Sequence, residues 1–296
     1  MRTLANWRCA YACLYFVDAG LYSDPGAFWQ FVRSKPLDFT ADKGVWTPCA
    51  GSVTPWETHL GSEEYEPDAK CFYDNTCAWD NWPMNKVRPF LRFFGTYAGS
   101  AGFNKDIALN AGFRPYRYGY PWETVVHADF TETTTKLYAH GRQSYEMSYA
   151  MPDRKTVYNT DDGTNVFFSK FVADKEGDIS EGQNFCARYT QTSPTDCEAI
   201  DWTADITWIS MPKATHSEIE AAIETTKFAD LFNHAECAEY QSGSTCAAGQ
   251  SATNGVCCPS GFTAVNGGGR GCECLQVKPG QDKLAAHLEK RRYAGG

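Results

Sequence analysis

Thirteen cysteines in 296 residues constrain this chain more than any other feature of its sequence. Their spacing is that of local staples. Cys71 with Cys77, and Cys186 with Cys197, would each close a short loop, and Cys237, Cys246, Cys257, Cys258, Cys272 and Cys274 crowd one segment near the end. Zinc is the competing use of such thiols, but only Cys272-x-Cys274 has close paired spacing and His234 is the one imidazole nearby. A disulfide framework is the reading taken, with connectivity left open, and it implies an oxidising compartment outside the cytoplasm. Thirteen is odd, so at least one thiol lacks an intramolecular partner. Cys49, isolated in the sequence, is the best candidate. The stretch Met1–Phe16 reads as a mature or truncated terminus rather than a signal peptide, because its apolar patch is short, holds two cysteines and lacks a small-x-small cleavage site.

The length admits one large domain or two ordinary ones, and 43% hydrophobic residues suffice for a core. A net charge of -9 argues against nucleic acid or an anionic membrane as partner and suits a protein that binds cations. No apolar run approaches the roughly 18 to 20 residues that cross a bilayer, so no transmembrane segment is expected. From Trp46 to Asp178, runs rich in Val, Tyr, Phe and Thr are broken by Gly, Pro, Asn and Asp. Strands are expected over 124–128, 136–139, 156–160, 165–172 and 203–209, with turns at Asn159-Thr160-Asp161 and Asp162-Gly163. This is an all-β texture, suiting a propeller or a sandwich. Thr215-x-x-Glu218 is a capping-box signature that opens a helix over 215–232, and a second helix is expected over 282–293. The segmentation is 1–45 unassigned, 46–232 β-rich with a helix near its end, 233–276 cysteine-rich, and 277–296 a C-terminal helix.

The most informative stretch runs from Cys49-Ala-Gly-Ser-Val-Thr-Pro-Trp-Glu57 to Asp68. It joins an unpaired thiol to Glu57, Glu63, Glu64, Glu66 and Asp68. Hard cations need clustered carboxylates, and a softer transition metal accepts a thiolate as well. A solvated acidic turn beside a disulfide cysteine is the plainer alternative. His140-Gly-Arg-Gln-Ser-Tyr-Glu146 adds a carboxylate at Glu146, and Arg142 is a group able to neutralise phosphate. Asp161, Asp162 and Asn165 offer oxygens for calcium, without EF-hand spacing.

Cys49-Ala-Gly-x-x-Thr-Pro-Trp followed by Glu63-Glu64 resembles the opening motif of the PhoX-type alkaline phosphatase family, which includes relatives of unassigned function. Tyr118-Gly-Tyr-Pro-Trp-Glu123, Gly141-Arg-x-x-Tyr-Glu146, Val157-Tyr-x-Thr-Asp161-Asp162, Gly261-Phe, Cys274-Leu and Leu288-Glu-x-Arg-Arg-Tyr-Ala294 resemble later family motifs in the same order. The resemblance implies a six-bladed β-propeller whose axis holds ferric iron (Fe3+) and calcium (Ca2+). It implies Cys49, Glu63, Glu64 and Glu146 as metal ligands, with Asp161, Asp162 and Glu123 as further candidates. Glu63, Glu64 and Glu146 are accordingly expected to converge on one pocket. Arg142 is assigned to substrate charge by its chemistry rather than by the resemblance.

Two departures from the family pattern stand out. Tyr145 occupies the position where the family usually has His, and the family continues beyond the Arg-Arg-Tyr-Ala motif into further blades. The sequence therefore reads as a C-terminally truncated member with room for three or four blades and impaired activity, and it lacks the twin-arginine export signal. The expected function is hydrolysis of phosphomonoesters outside the cytoplasm. The alternatives are a non-catalytic calcium-binding secreted propeller and a calcium-dependent propeller lactonase or esterase.

Overall fold

In a computed structural model the chain is described over residues 13–18, 30–81, 84–93, 104–163, 168–192, 203–235, 238–239, 246, 250–253, 256–266 and 272–294. Alternation of buried and more open positions builds its larger sheet, as in Ser169–Lys175 and Thr156–Asp161. In chain order the first elements are β1 (Cys13–Asp18) and β2 (Gln30–Pro36), then β3 (Ser52–Val53) and β4 (His59–Ser62). Three helices follow, α1 (Ala69–Asp74), α2 (Val87–Phe93) and α3 (Lys105–Asn110), before β5 (Pro121–Val126) and β6 (Glu132–Lys136). Strands β3 to β6 form one four-stranded antiparallel meander.

The second meander comprises β7 (Tyr145–Ala150), β8 (Thr156–Asp161), β9 (Ser169–Lys175), β10 (Asp178–Gln191) and β11 (Ala204–Ser210). Leu60, Leu137 and Ala139 from the first sheet and its exit pack on Ala150, Val157, Phe171 and Ala173 of the second. Leu60, Leu137, Val157 and Phe171, fully buried, are each worth about 1.5–3 kcal/mol relative to exposure. The architecture is therefore all-β, a partial β-propeller in which two consecutive meanders have the size of blades.

Several expectations are corrected. Asn159-Thr160-Asp161 is not a turn but the end of β8, because Asn159 and Asp161 face the buried side while Thr160 faces solvent. The strand expected over 136–139 lies earlier, and Tyr138–His140 forms a 3-10 turn instead. In the unassigned segment before residue 46, β1 pairs with β2, and Leu37, Phe39 and Val45 pack on Trp122.

The capping box is formed, with Glu218 N–H donating to Thr215 Oγ1 at 3.2 Å and Thr215 N–H to Glu218 Oε2 at 2.8 Å. Its helix α4 (His216–Ile223) stops well short of Phe232, giving way to α5 (Phe228–Leu231) and β12 (Phe232–Ala235). The cysteine-rich part holds β13 (Ala238–Glu239), β14 (Gln250–Thr253), β15 (Val256–Pro259), β16 (Thr263–Asn266) and β17 (Cys272–Val277) in small three-stranded sheets. Disulfides join Cys246 to Cys257 and Cys258 to Cys274, and Cys71 to Cys77 closes the loop after α1. Cys186, expected to pair with Cys197, instead carries a free buried thiol 3.1 Å from Met211 Sδ, and Cys197 lies outside the described residues.

The final helix is interrupted at Glu289, between α6 (Asp282–Leu288) and α7 (Lys290–Ala294). Lys290, fully buried, carries its ammonium to the turn before β7, donating to His140 O at 2.9 Å and Gln143 Oε1 at 3.1 Å. Burial lowers its pKa to about 8. From the same turn Arg142 N–H donates to His287 O at 2.7 Å, so the C-terminal helices brace the segment that leads to Glu146. Among the described residues no helix is long and apolar enough to cross a membrane.

Candidate metal centre

Three segments meet at one point. The chain before β3 is tied to the chain after β4 by Cys49 N–H to Ser62 O at 3.1 Å and Glu64 N–H to Thr47 O at 3.1 Å. Ala50 N–H then donates to Glu146 O at 3.2 Å, joining this hairpin to the start of β7. At that start the pairing slips: Tyr145 faces Asp161 and Met147 faces Thr160, leaving Glu146 as an extra residue in a β-bulge. A bulge re-aims the side chain it carries, which is why Glu146 escapes the alternation of its strand.

The result is a cluster of Cys49, Glu64 and Glu146, whose candidate ligand atoms all lie within 4.8 Å of one another. Cys49 is exposed and Glu64 is half-buried. Cys49 Sγ lies 3.7 Å from Glu146 Oε1 and also hydrogen-bonds Glu64, so its one proton has two carboxylate acceptors. Burial, then the hydrogen bond and charge of Glu64 and the charge of Glu146, pushes the Cys49 thiol up to about 12. Burial, a hydrogen bond with Asp162 and the neighbouring negative charges raise Glu64 to about 7. Groups that hold protons against their inclination in this way are poised to release them to a cation.

Asp162 sits behind Glu64 and accepts a hydrogen bond from the Tyr65 hydroxyl. That hydrogen bond holds the Tyr65 phenol well above its ordinary range. Tyr65 itself was invisible as a site residue in the sequence. Its backbone has φ 50, the left-handed region that a tyrosine enters only when surrounding contacts hold it there. Asn165 lies outside the described residues.

Four expected site residues are placed elsewhere. Glu63 does not converge with Glu64, because consecutive residues of an extended chain point to opposite sides. Its carboxylate is fully buried, where Oε1 accepts from Trp46 N–H at 2.6 Å and Lys136 Nζ at 3.0 Å. Oε2 accepts from Gly119 N–H at 2.8 Å and Tyr120 N–H at 3.1 Å. Gly119 has φ +97, and a Cβ there would lie 2.7 Å from Glu66 Cβ, so only glycine brings this N–H to the carboxylate. Arg142 is 3% exposed and faces the interior, donating to Tyr118 O at 2.8 Å and to Pro67 O. A guanidinium so enclosed is out of reach of a substrate. Glu123, within β5, accepts from Trp56 Nε1 at 2.6 Å and Thr58 Oγ1 at 2.5 Å. Asp161 is buried and caps the backbone before Glu146, accepting from Ser144 N–H at 3.0 Å. Tyr145, which stands in place of the family's imidazole, is fully buried with its hydroxyl 2.7 Å from Gly141 O, turned away from Glu146.

A family model described as "Alkaline phosphatase PhoX" matches residues 18–254. Among solved structures a match is Pseudomonas fluorescens PhoX in complex with vanadate, a transition state analogue, at 20% identity and TM-score 0.38. The alignment covers 62% of this chain and 36% of that one, so the chain spans little more than a third of the length of that relative. No curated protein sequence matches.

Proposed function

Because the chain belongs to the PhoX alkaline phosphatase family, we propose that it hydrolyses phosphomonoesters at a metal centre held by Cys49, Glu64 and Glu146. The convergence of these three side chains from separate segments carries the reading. One thiol and two carboxylates are a donor set that fits iron, since a thiolate suits a transition metal and the carboxylates suit its ferric state. Calcium takes six to eight oxygens, and the oxygen-rich side of the site is the Glu64–Asp162 carboxyl pair. When bound, such ions supply positive charge that neutralises the phosphoryl oxygens and lowers the barrier to displacement.

The chain's own residues do the rest. Cys49 and Glu64 give up their protons on loading, so the ligand set gains negative charge as the cation enters. Glu146, fixed by the bulge and by Ala50 N–H on its carbonyl, keeps its carboxylate opposite Cys49 without rearrangement. With Arg142 enclosed, recognition of the phosphate falls to the open, exposed side of the cluster at Cys49. Disulfides at Cys71–Cys77, Cys246–Cys257 and Cys258–Cys274 support an extracytoplasmic location.

The test is metal content followed by turnover. The purified chain, reconstituted with ferric iron and calcium, is expected to retain both after gel filtration and to hydrolyse p-nitrophenyl phosphate. Cys49→Ser, Glu64→Gln and Glu146→Gln are expected to lose iron and turnover together. Retention of calcium alone would favour a non-catalytic calcium-binding protein, and turnover of a lactone but not of the phosphoester would favour an esterase.

A further inference from the structure

We propose that the cavity between α1, α5 and β12 is an oxyanion site, suited to a phosphate group that is either free or carried on a small organic body. The cavity measures about 340 Å³. None of its lining residues belongs to the cluster of Cys49, Glu64 and Glu146, so the inference stands apart from the metal-binding reading.

Packing brings these elements together. Phe228 of α5 and Phe232 of β12 stack with ring centroids 5.1 Å apart, and both are buried in the core that also holds Ala69 of α1 and Leu275 of β17. The polar parts of the same elements are left around an opening: Lys70 and Asp74 from α1, His234 from β12, and Lys278 just after β17. The two rings form an apolar floor, and charges set over low-dielectric material act more strongly than charges in open water. Pockets that enclose small molecules begin at about 300 Å³, so a phosphate group with a small substituent matches the space.

The charges around the opening are not balanced alike. Lys70 is answered twice, by Asp74 at 3.1 Å and by Glu273 at 3.7 Å. Arg292, whose guanidinium carbon lies 5.2 Å from the Phe228 ring centroid, is answered by Asp68, Glu273 and Glu289. Lys278 differs. Its backbone N–H donates to Leu231 O at 2.9 Å, which fixes the root of the side chain, yet among the described residues no carboxylate pairs with its ammonium. In the same cavity His234 is exposed and offers an imidazole N–H in either tautomer. Asp74 is the one acid among the lining residues, and it is already engaged by Lys70. The surplus is therefore positive. In a chain of net charge -9 a phosphate is repelled by the surface at large and is retained only where cations gather. Donors that come from different elements suit a tetrahedral group, whose oxygens point in several directions, better than a planar carboxylate.

The test uses orthophosphate as probe on the full 296-residue chain with a chelator present, so that the metal centre takes no part. Calorimetry is expected to show saturable binding at one site. Lys278→Met keeps most of the aliphatic stem and removes the charge. It is expected to weaken binding at least about tenfold, as the loss of a hydrogen bond to a charged group does. Asp74→Asn removes the opposing charge at an exposed position and is expected to tighten binding about two- to fivefold. Both variants should keep the parent's thermal midpoint, and a gain of affinity does not arise from a damaged fold. Phenyl phosphate held more tightly than orthophosphate would identify an organic phosphate as the occupant, and equal affinity would identify the free ion. Absence of saturable binding, or parent-like affinity in Lys278→Met, would overturn the proposal. So would binding lost in Cys49→Ser or Glu146→Gln but kept in Lys278→Met, because the anion would then sit at the other cluster.

Discussion

Glu63→Gln should unfold the protein more readily without touching the proposed metal site, although its neighbour Glu64 belongs to that proposed site. The magnitude follows from the count of donors. Glu63 receives four hydrogen bonds in a fully buried pocket, two on each oxygen, and one of the donors is the ammonium of Lys136. Glutamine has one oxygen and one NH2 group. Whichever way the amide is turned, its NH2 meets two donors, either Trp46 N–H with Lys136 Nζ or Gly119 N–H with Tyr120 N–H. Two buried donors without an acceptor cost about 1–3 kcal/mol each. Removal of one partner of a buried ion pair is placed independently at about 3–5 kcal/mol. The expectation is thus a loss of about 3–5 kcal/mol, read as a lowered urea midpoint at unchanged slope. Lys136→Met would not rescue the variant fully, because the backbone donors remain. A Glu63→Gln protein within about 1 kcal/mol of the parent would refute the reasoning, as would one of full stability that no longer binds iron.

Three further outcomes are expected. Burial first, with smaller effects from Lys290 and other neighbours, lowers His140 to about 3 and His287 to about 4, from 6.5. Between those values and 6.5 the unfolded chain binds the protons and the folded one does not. Stability is therefore full above pH 6.5 and falls as pH drops through that window, by at most about 1.4 kcal/mol per unit for each histidine; His140→Asn should flatten the dependence in urea titrations run from pH 7 to pH 4. Arg142→Ala should cost about 2–6 kcal/mol, since Pro67 O and Tyr118 O lose a buried donor at about 1–3 kcal/mol each. Orthophosphate affinity of the metal-loaded form should stay unchanged, and a selective loss of phosphate binding would restore Arg142 to the substrate. Metal binding should release two protons below pH 7, one each from Glu64 and Cys49, and one above it; calorimetry in buffers of different ionisation heat should find one fewer below pH 7 in Glu64→Gln.

The alternation of apolar and polar residues made the sheets legible, and the isolation of Cys49 made its free thiol legible. What could not be read was the side to which each acid points. Glu63 and Glu64 are chemically identical in sequence, and only the extended backbone between Ser62 and Tyr65 separates them. Glu146 owes its direction to a bulge, which is a register slip against β8 and leaves no mark in local composition. The enclosure of Arg142 depends on the C-terminal helices: its backbone N–H meets His287, and Leu288 O and Glu289 lie beside its guanidinium. Asn159 and Asp161 carry turn chemistry, yet the second sheet's buried face claims them for a strand. Tyr65 gave no signal at all, because an aromatic residue in left-handed backbone is the opposite of what local preference suggests.

The opposed directions of Glu63 and Glu64 place two neighbouring codons under different selective regimes. On the proposed reading, a lineage that abandoned hydrolysis while still needing the fold would be free to lose Glu64, and would remain bound to Glu63, whose duty is to Lys136 and three backbone amides. Decay of such a lineage would be recognisable by a glutamate pair reduced to its first member. A change of metal preference would also be written at the second position, by exchange of Glu64 for another ligating residue. The first glutamate is thus a record of ancestry, and the second a record of use.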